Sequence, residues 1–218
     1  MTEYAGRVIL VGPANVGKTA LIERYVQGVF SHETTPTLGC DCSAKIVSVE
    51  KTSASGGSGE RVKLQLYDTA GQERYAEIAS SYFRNADVCL LCFDLGNLAS
   101  FDNVRWWREK VVSINPDCSF LLVGTKLDLL KGTPGETDYA RRFANESGMP
   151  FFSTSSLQGG DQIEFLFYCV AEKVLRLRLQ KNLDKARPQV TNGFAIAPAS
   201  DARSPSAVSC CGAAFTST

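Results

Sequence analysis

The sequence lacks a charge imbalance and has no long apolar segment. Its 218 residues include 23 lysines and arginines and 23 aspartates and glutamates, which gives a formal net charge of zero. Binding to nucleic acid through counterion release needs concentrated basic charge, so we expect no nucleic-acid partner. No stretch approaches the roughly 20 apolar residues of a transmembrane helix, and Met1-Thr2-Glu3-Tyr4 does not begin a signal peptide. We therefore predict a cytoplasmic protein.

Histidine is nearly absent, which argues against a metal site made only of protein side chains. His32 is the single histidine, whereas the chain has eight cysteines. The pairs Cys40/Cys42 and Cys89/Cys92 lack the tetrahedral partner set that a zinc site requires. The second pair lies in a strand-like apolar run, so we expect buried thiols in a reducing compartment.

Regular periodicity is absent from residue 182 onward. Pro188, Pro198 and Pro205 are scattered there among alanine, serine, threonine and asparagine. A segment of this composition buries too little apolar surface to offset the entropy cost of folding. The sequence therefore predicts a folded domain over residues 1–181 and a disordered tail over 182–218.

Short apolar runs alternate with helical patterns in the folded part. This order predicts an α/β fold with a mostly parallel sheet and helices on both faces. The second and third strands are too close in sequence for a helical crossover, so they should form an antiparallel hairpin at the sheet edge. The six predicted strands cover residues 7–11, 45–49, 62–67, 88–93, 120–124 and 150–152.

Two helices have recognisable start signals. Ser100 is the predicted N-cap of a helix that ends at Ile114, because the apolar residues between them recur with helical spacing. Asp161 and Glu164 have the spacing of a capping box and open the last helix.

The most specific motif follows the first strand. Residues 12–19 read G-P-A-N-V-G-K-T, the P-loop pattern. A strand that ends in a glycine-rich turn and enters a helix points backbone N–H groups and the positive helix end at one place, where a polyphosphate is stabilised. Lys18 is predicted to reach the outer phosphates, and Thr19 to offer a hydroxyl to a phosphate-bound Mg²⁺. The predicted contacts of this motif are Gly12, Ala14, Asn15, Val16, Gly17, Lys18, Thr19 and Ala20.

The loop after the third strand predicts chemistry at the terminal phosphate. Ligands of open α/β sheets bind beyond the carboxyl ends of the strands. There, Asp68 can hold Mg²⁺ through water, Gly71 allows close approach of a backbone N–H, and Gln72 can orient the attacking water.

The loops after the last two strands predict the base. The Asp128 carboxylate can accept paired hydrogen bonds from N1–H and the exocyclic amine of guanine, whereas adenine offers no such pair. The polar turn at residues 153–156 presents backbone N–H groups for the guanine carbonyl oxygen.

These four motifs and the stretch around Thr37 occur in order between about residues 6 and 180, and together they resemble the five nucleotide motifs of the Ras superfamily of small GTPases. Residues 68–75 and 80–87, together with 37–41, are most similar to the Rab branch. The resemblance implies a small G domain with bound GTP or GDP and Mg²⁺. It also implies slow GTP hydrolysis and a switch that regulates vesicle traffic.

The resemblance also assigns roles to single residues. Thr37 corresponds to the switch I threonine that closes on Mg²⁺ and the γ-phosphate, Phe30 packs against guanine, and Lys126 covers the base. The implied catalytic residue is Gln72. The implied Mg²⁺ set is Thr19, Thr37 and Asp68. The implied nucleotide contacts outside the P-loop are Phe30, Thr37, Gly71, Thr125, Lys126, Asp128, Ser155 and Ser156.

Several positions depart from the family pattern. Thr125 replaces the usual asparagine, as in Rho-type relatives, while Ser153 and Ser156 replace glutamate and alanine. Cys42 occupies one position of the aromatic triad that Rabs carry across their switches. The changes at Ser153, Ser156 and Cys42 leave open a GTP-binding module with little or no hydrolysis. A separate alternative is an adenine-specific P-loop enzyme such as a small kinase.

The partners are implied by the same resemblance. They are an exchange factor, a GTPase-activating protein and effectors at switches I and II, acting on a monomer. Cys210 and Cys211 resemble the prenylated cysteine pair of Rabs, which implies a prenylation escort, a GDP-dissociation inhibitor and a lipid anchor on the cytosolic face of an endomembrane. Seven further residues end the chain at Thr218, so an unmodified pair is the alternative.

Overall fold

The structure is a computed structural model that describes residues 3–32, 36–37, 39–50, 59–71, 76–132 and 135–186. Its strands are β1 Glu3–Val11, β2 Cys40–Val49, β3 Glu60–Thr69, β4 Val88–Asp94, β5 Ser119–Thr125 and β6 Phe151–Ser153. Its α-helices are α1 Lys18–Gln27, α2 Ala76–Phe83, α3 Leu98–Asp102, α4 Val104–Ile114, α5 Asp138–Glu146 and α6 Asp161–Ala186. A 3₁₀ helix covers Leu127–Leu129.

The six strands form one sheet in the order β2-β3-β1-β4-β5-β6. Strand β2 pairs with β3 in the antiparallel direction, from Cys40 opposite Thr69 to Val49 opposite Glu60. Every other neighbouring pair is parallel. The predicted fold class, a mostly parallel sheet with one antiparallel edge strand, is confirmed.

The central strands are buried on both faces of the sheet. Along β1, Val8 and Leu10 belong to the apolar cluster that also contains residues of α1 and α6. Ile9 and Val11 belong to the other cluster, which contains residues of α4 and α5. Successive side chains of a strand point to opposite faces, so this alternation places one helical layer on each side.

The helix predicted over residues 100–114 is divided in two at Asn103. Its predicted N-cap is wrong, because Asn97 occupies that position and accepts a hydrogen bond from the backbone of Ala99 through its side chain. Ser100 lies within α3, where its hydroxyl accepts a hydrogen bond from the backbone N–H of Asp94 at 2.9 Å. Asparagine and serine are equally good N-caps, so the sequence did not separate them.

The last helix, α6, begins at Asp161 and continues to Ala186, past the boundary predicted at residue 181. Near its start, the Glu164 carboxylate accepts a hydrogen bond from Lys45 Nζ at 3.1 Å. This ion pair connects α6 to the edge strand β2. Residues 187–218 lie outside the described part, so the disordered tail stays a prediction.

The expected burial of the thiols in β4 is confirmed. Cys89 and Cys92 are both free and fully buried. Burial raises the pKa of the Cys92 thiol to about 12, so this group is neutral at physiological pH.

No helix in the described residues has both the length and the apolar character needed to cross a membrane.

Candidate functional site

A cleft with a volume of about 440 Å³ opens at the carboxyl edge of the sheet. This volume lies within the range of small-molecule sites. Most predicted nucleotide contacts line it: Ala14, Asn15, Gly17, Lys18, Thr19, Ala20, Phe30, Thr37, Gly71, Thr125, Lys126, Asp128 and Ser156. Three others are hydrogen-bonded to lining residues: Gly12, Val16 and Ser155. The predicted catalytic residue, Gln72, lies outside the described residues.

The P-loop has a backbone shape that needs glycine. Gly12 has φ +146°, and a Cβ at this position would collide with the carbonyl oxygen of Cys92 on β4. Gly17 has φ +91° immediately before α1 begins. Residues with side chains rarely adopt these conformations, so both glycines are required for the turn that joins β1 to α1.

The amine of Lys18 is held inside this loop. Nζ donates hydrogen bonds to the carbonyl oxygens of Gly12 and Pro13, both at 2.9 Å. The side chain is 5% exposed. Burial lowers the pKa of Lys18 below its ordinary value, against the opposing effects of nearby Cys92 and Asp68. Burial deprives the Lys18 ammonium of its hydration. A bound anion would compensate for that loss by direct electrostatic attraction, so this position favours an anionic ligand.

Three oxygen-bearing side chains converge beside the P-loop. Thr19 Oγ1 donates to Asp68 Oδ2 at 2.5 Å, and Thr37 Oγ1 lies 3.3 Å from the same oxygen. The two hydroxyl oxygens are 3.0 Å apart. The structure therefore brings together the three side chains that the sequence predicts for Mg²⁺.

The donor set at this position fits a hard cation. Asp68 is 3% exposed, and within the described part of the chain its Oδ1 is buried without a hydrogen-bond partner. An unpaired buried carboxylate oxygen costs free energy that a cation would recover. The described ranges contain no group of three or more His, Cys, Asp or Glu side chains that could hold a metal ion by themselves. Phosphate oxygens and water would therefore have to complete the octahedral shell that Mg²⁺ requires.

Gly71 lies directly against the P-loop. A Cβ at this position would be 2.5 Å from both the backbone nitrogen of Ala14 and Lys18 Nζ. Any larger residue would have to displace the loop or the lysine amine. Ala70, which precedes Gly71, donates its backbone N–H to the carbonyl oxygen of Gly39 at 3.0 Å. This hydrogen bond joins the segment that contains Gly71 to the segment that contains Thr37.

Lys126 links the P-loop to the end of β4. Its Nζ lies 2.7 Å from the carbonyl oxygen of Asn15 and 2.7 Å from Asp94 Oδ2. Its backbone is left-handed, with φ 56°. Both contacts hold the alkyl stem along the cleft, and its role in covering a base stays a prediction. The sequence reasoning missed Asp94, although its position at the carboxyl end of β4 was a usable signal.

Thr125 occupies the position where most of the resembled family has asparagine. Its side chain is buried, and its hydroxyl lies within hydrogen-bond distance of two carbonyl oxygens, those of Val16 and Phe93. The O–O distance to Phe93 is 2.8 Å. The threonine hydroxyl therefore lies between the P-loop and β4 and has one proton to donate to either carbonyl oxygen.

Asp128 and Ser155 face each other at the far end of the cleft. Ser155 Oγ donates a hydrogen bond to Asp128 Oδ1. The same hydroxyl oxygen accepts the backbone N–H of Gln158 at 3.1 Å. The hydroxyl thereby orients the carboxylate, and both carboxylate oxygens keep lone pairs for a ligand with paired donors. Phe30 lines the same cleft and is half-buried.

Arg24 was not identified from the sequence. It lies on α1 and donates hydrogen bonds to the carbonyl oxygens of Ser156 and Leu157. These partners are more than 130 positions away along the chain, and no local pattern marks an arginine on a helix for such contacts.

Removal of the Asp68 charge should stabilise the ligand-free protein. Burial raises the pKa of this carboxyl above its ordinary value of 3.8, so folding favours the protonated form. Below pH 3.8 the carboxyl is protonated in the folded and the unfolded protein, and its burial costs no electrostatic free energy. The cost grows as the pH rises from 3.8 through the raised pKa, and at higher pH it is constant. We expect Asp68→Asn to raise the melting temperature by a few degrees at pH 7, and by less as the pH falls toward 4.

Thermal unfolding from pH 4.5 to 7.5, after nucleotide and metal have been removed with a chelator, measures this difference. The matched control is Asp102→Asn, because Asp102 is an exposed carboxylate outside the cleft. A stabilisation by Asp68→Asn that increases toward low pH would contradict the assignment.

A comparison with protein families agrees with this geometry. The model of the Ras family matches residues 7–176, which include β1 to β6 apart from the first residues of β1, and all the loops that form the cleft. The match covers well over half of the chain. The chain therefore belongs to the Ras family and is a small GTPase.

Proposed function

We propose that the protein is a Rab-like GTP/GDP switch that hydrolyses GTP slowly and regulates intracellular vesicle traffic. The observation that carries the proposal is the arrangement of one cleft with two chemically distinct ends. Lys18, Thr19 and Asp68 lie at one end, and Asp128 and Ser155 lie at the other. The first end suits phosphates and a divalent cation, and the second suits a base with paired donors.

Two chain segments contact the phosphate end, and their structure can respond to the presence or absence of the γ-phosphate. Thr37 reaches Thr19 and Asp68, and Gly71 lies against the Lys18 amine. A γ-phosphate at this end would be within reach of both segments, and its loss would remove an anchor from each. Order in the two segments would then depend on whether GTP or GDP is bound. Regulators and effectors of Ras-family proteins are expected to recognise this difference.

Hydrolysis requires positioning of water and stabilisation of negative charge. We assign the first task to Gln72, which directly follows Gly71. Between Gly28 and Cys40 the sequence has no arginine or lysine, so switch I supplies no cation for the second task. An activating protein would have to provide it. Ala14 lines the cleft beside the phosphate end, and its methyl group would crowd an incoming arginine.

Three side chains, those of Cys42, Tyr67 and Tyr82, form one surface beside the two switches. Cys42 lies opposite Tyr67 in the β2-β3 ladder. The Tyr67 and Tyr82 rings are 5.6 Å apart between centroids. These three residues correspond to the Rab aromatic triad, and they lie together here with a cysteine at one position. We therefore propose this surface as the effector site, with a smaller apolar anchor at residue 42 than Rabs usually present.

Base choice should depend on Asp128. In Asp128→Asn, the amide replaces one acceptor by a donor, so the amine of guanine loses its partner while the 2-oxygen of xanthine gains one. We expect the affinity for GDP to fall by about 100-fold and xanthosine diphosphate to become the preferred ligand. Competition binding measures both, with Asp117→Asn as the exposed control. Preference of the wild type for ADP over GDP would establish the adenine-specific alternative instead.

GTP turnover should depend on Gln72. Leucine has a similar size but cannot form a hydrogen bond to the attacking water. Gln72→Leu should therefore slow single-turnover hydrolysis by about tenfold or more without loss of GTP affinity. Phosphate release from purified protein measures the rate, and Gln162→Leu, at an exposed position of α6, is the control. If the wild type binds GTP but never releases phosphate, even with activating proteins present, the chain is a binding module.

We also propose that Cys210 and Cys211 carry two prenyl groups and hold the protein on the cytosolic face of an endomembrane. Both cysteines lie outside the described residues, and the proposal rests on their adjacency. Mass spectrometry of the mature protein from cells should show one prenyl group on each of the two cysteines. An unmodified C-terminus that ends at Thr218 would disprove the anchor.

A further inference from the structure

Arg24 lies on α1 near the base end of the cleft and makes three hydrogen bonds to backbone carbonyl oxygens. Nε donates to Ser156 at 2.6 Å, and Nη2 donates to Leu157 at 2.9 Å. Nη1 donates to Gly28 at 2.8 Å. The first two acceptors belong to the loop between β6 and α6, and the third belongs to the end of α1. One guanidinium therefore joins two segments that are far apart in sequence.

The first segment forms one wall of the base end. Ser156 and Leu157 both line the cleft. The Ser155 carbonyl oxygen accepts the backbone N–H of Gly159 at 2.8 Å, which fixes the peptide group between residues 155 and 156. Arg24 fixes the next two peptide groups through their carbonyl oxygens. Because a peptide group is planar, a fixed carbonyl also fixes the direction of its N–H.

The second segment leads to another residue of the cleft lining. Gly28 ends α1 with φ 74°, and its backbone N–H donates to the Arg24 carbonyl oxygen at 3.1 Å. Two residues later, the Phe30 ring centroid is 5.9 Å from Arg24 Cζ, and Phe30 lines the cleft. Arg24 thus contacts both the loop after β6 and the segment that carries the Phe30 ring.

The geometry requires a guanidinium in this position. The three carbonyl oxygens lie in different directions, and the planar guanidinium of arginine has N–H groups on three nitrogens that can reach all of them. A lysine has one nitrogen at the end of a flexible chain and could not donate to the three oxygens in the same way. The loop also fits closely around the side chain, because a Cβ on Gly159 would lie 3.3 Å from Arg24 Cδ and Nε. In the described residues Arg24 is not a lining residue of the cleft, so its effect on a ligand is indirect.

We propose that Arg24 is a positioning residue for the guanine base. It holds the 155–158 loop and Phe30 in their binding geometry and so slows nucleotide release. This inference rests on the proposed guanine-nucleotide function and adds a determinant of how long the nucleotide stays bound. Loss of the three hydrogen bonds would release the 155–158 loop and the end of α1 together.

The test compares GDP release from the wild type, Arg24→Ala and Arg24→Lys, with a fluorescent GDP displaced by excess unlabelled GDP. We expect Arg24→Ala to release GDP about tenfold faster, since several charge-assisted hydrogen bonds that order the site are lost. Arg24→Lys should also release GDP faster, by a smaller factor. Arg176→Ala, which breaks an exposed ion pair with Glu172 on α6, is the control and should match the wild type.

Amide hydrogen exchange in the GDP-bound proteins separates positioning from general stability. The inference predicts faster exchange in residues 155–158 and near Phe30, with unchanged exchange in β1 and β4. Unchanged GDP release in both variants would overturn it, and so would an equal rise of exchange across the whole domain. If Arg24→Ala does not fold, Arg24→Lys decides alone. A wild type that does not bind GDP would instead disprove the proposed function.

Discussion

The parallel pairing of β1 with its two neighbours is the constraint on which the site depends. The register places Leu10 opposite Asp68 on β3, and Val11 opposite Leu91 on β4. The Thr69 hydroxyl adds a hydrogen bond to the Leu10 carbonyl oxygen at 2.6 Å. These contacts bring the P-loop, the Asp68 carboxylate and the end of β4 to one edge. A slip of one residue would turn the core side chains of β1 to the wrong faces and separate the cation-binding oxygens.

Stability and function compete at the phosphate end. Lys18 and Asp68 are both charged groups with little exposure, and burial shifts the pKa of each toward its neutral form. Their mutual attraction recovers part of this cost. A phosphate and a divalent cation would recover more, because they supply opposite charges at hydrogen-bond distance. The cleft therefore keeps an electrostatic cost in the ligand-free fold that a ligand relieves, as is common where binding sites are built on a stable sheet.

The fold was predictable because its signals are local. Alternating apolar runs located all six strands, and the short connection between β2 and β3 identified the antiparallel pair. The P-loop was recognisable from its spacing together with its place between a strand and a helix, and the ends of the parallel strands located Asp68 and Asp128. Local signals failed where two residues compete for one role, as with Asn97 and Ser100 at the start of α3.

The missed parts of the site depend on contacts across the chain. Arg24 meets its loop only after the sheet has formed, so no window of sequence contains both partners. Asp94 was detectable in principle from its position at a strand end, but nothing in its neighbourhood indicated a lysine partner. Long-range polar contacts of this kind follow from tertiary packing, which pattern and propensity do not encode.

The position of Thr125 has a consequence for the stiffness of the P-loop. An asparagine amide carries two protons, whereas a hydroxyl carries one. The Thr125 hydroxyl lies near two acceptors, the carbonyl oxygens of Val16 and Phe93, and serves one of them at a time. The loop and the strand thus compete for a single proton, and rotation about one C–O bond redistributes it. When the hydroxyl donates to Val16 it holds the P-loop directly, and when it donates to Phe93 that hydrogen bond to the loop is lost. The fraction of time in each orientation therefore sets how firmly the loop is held.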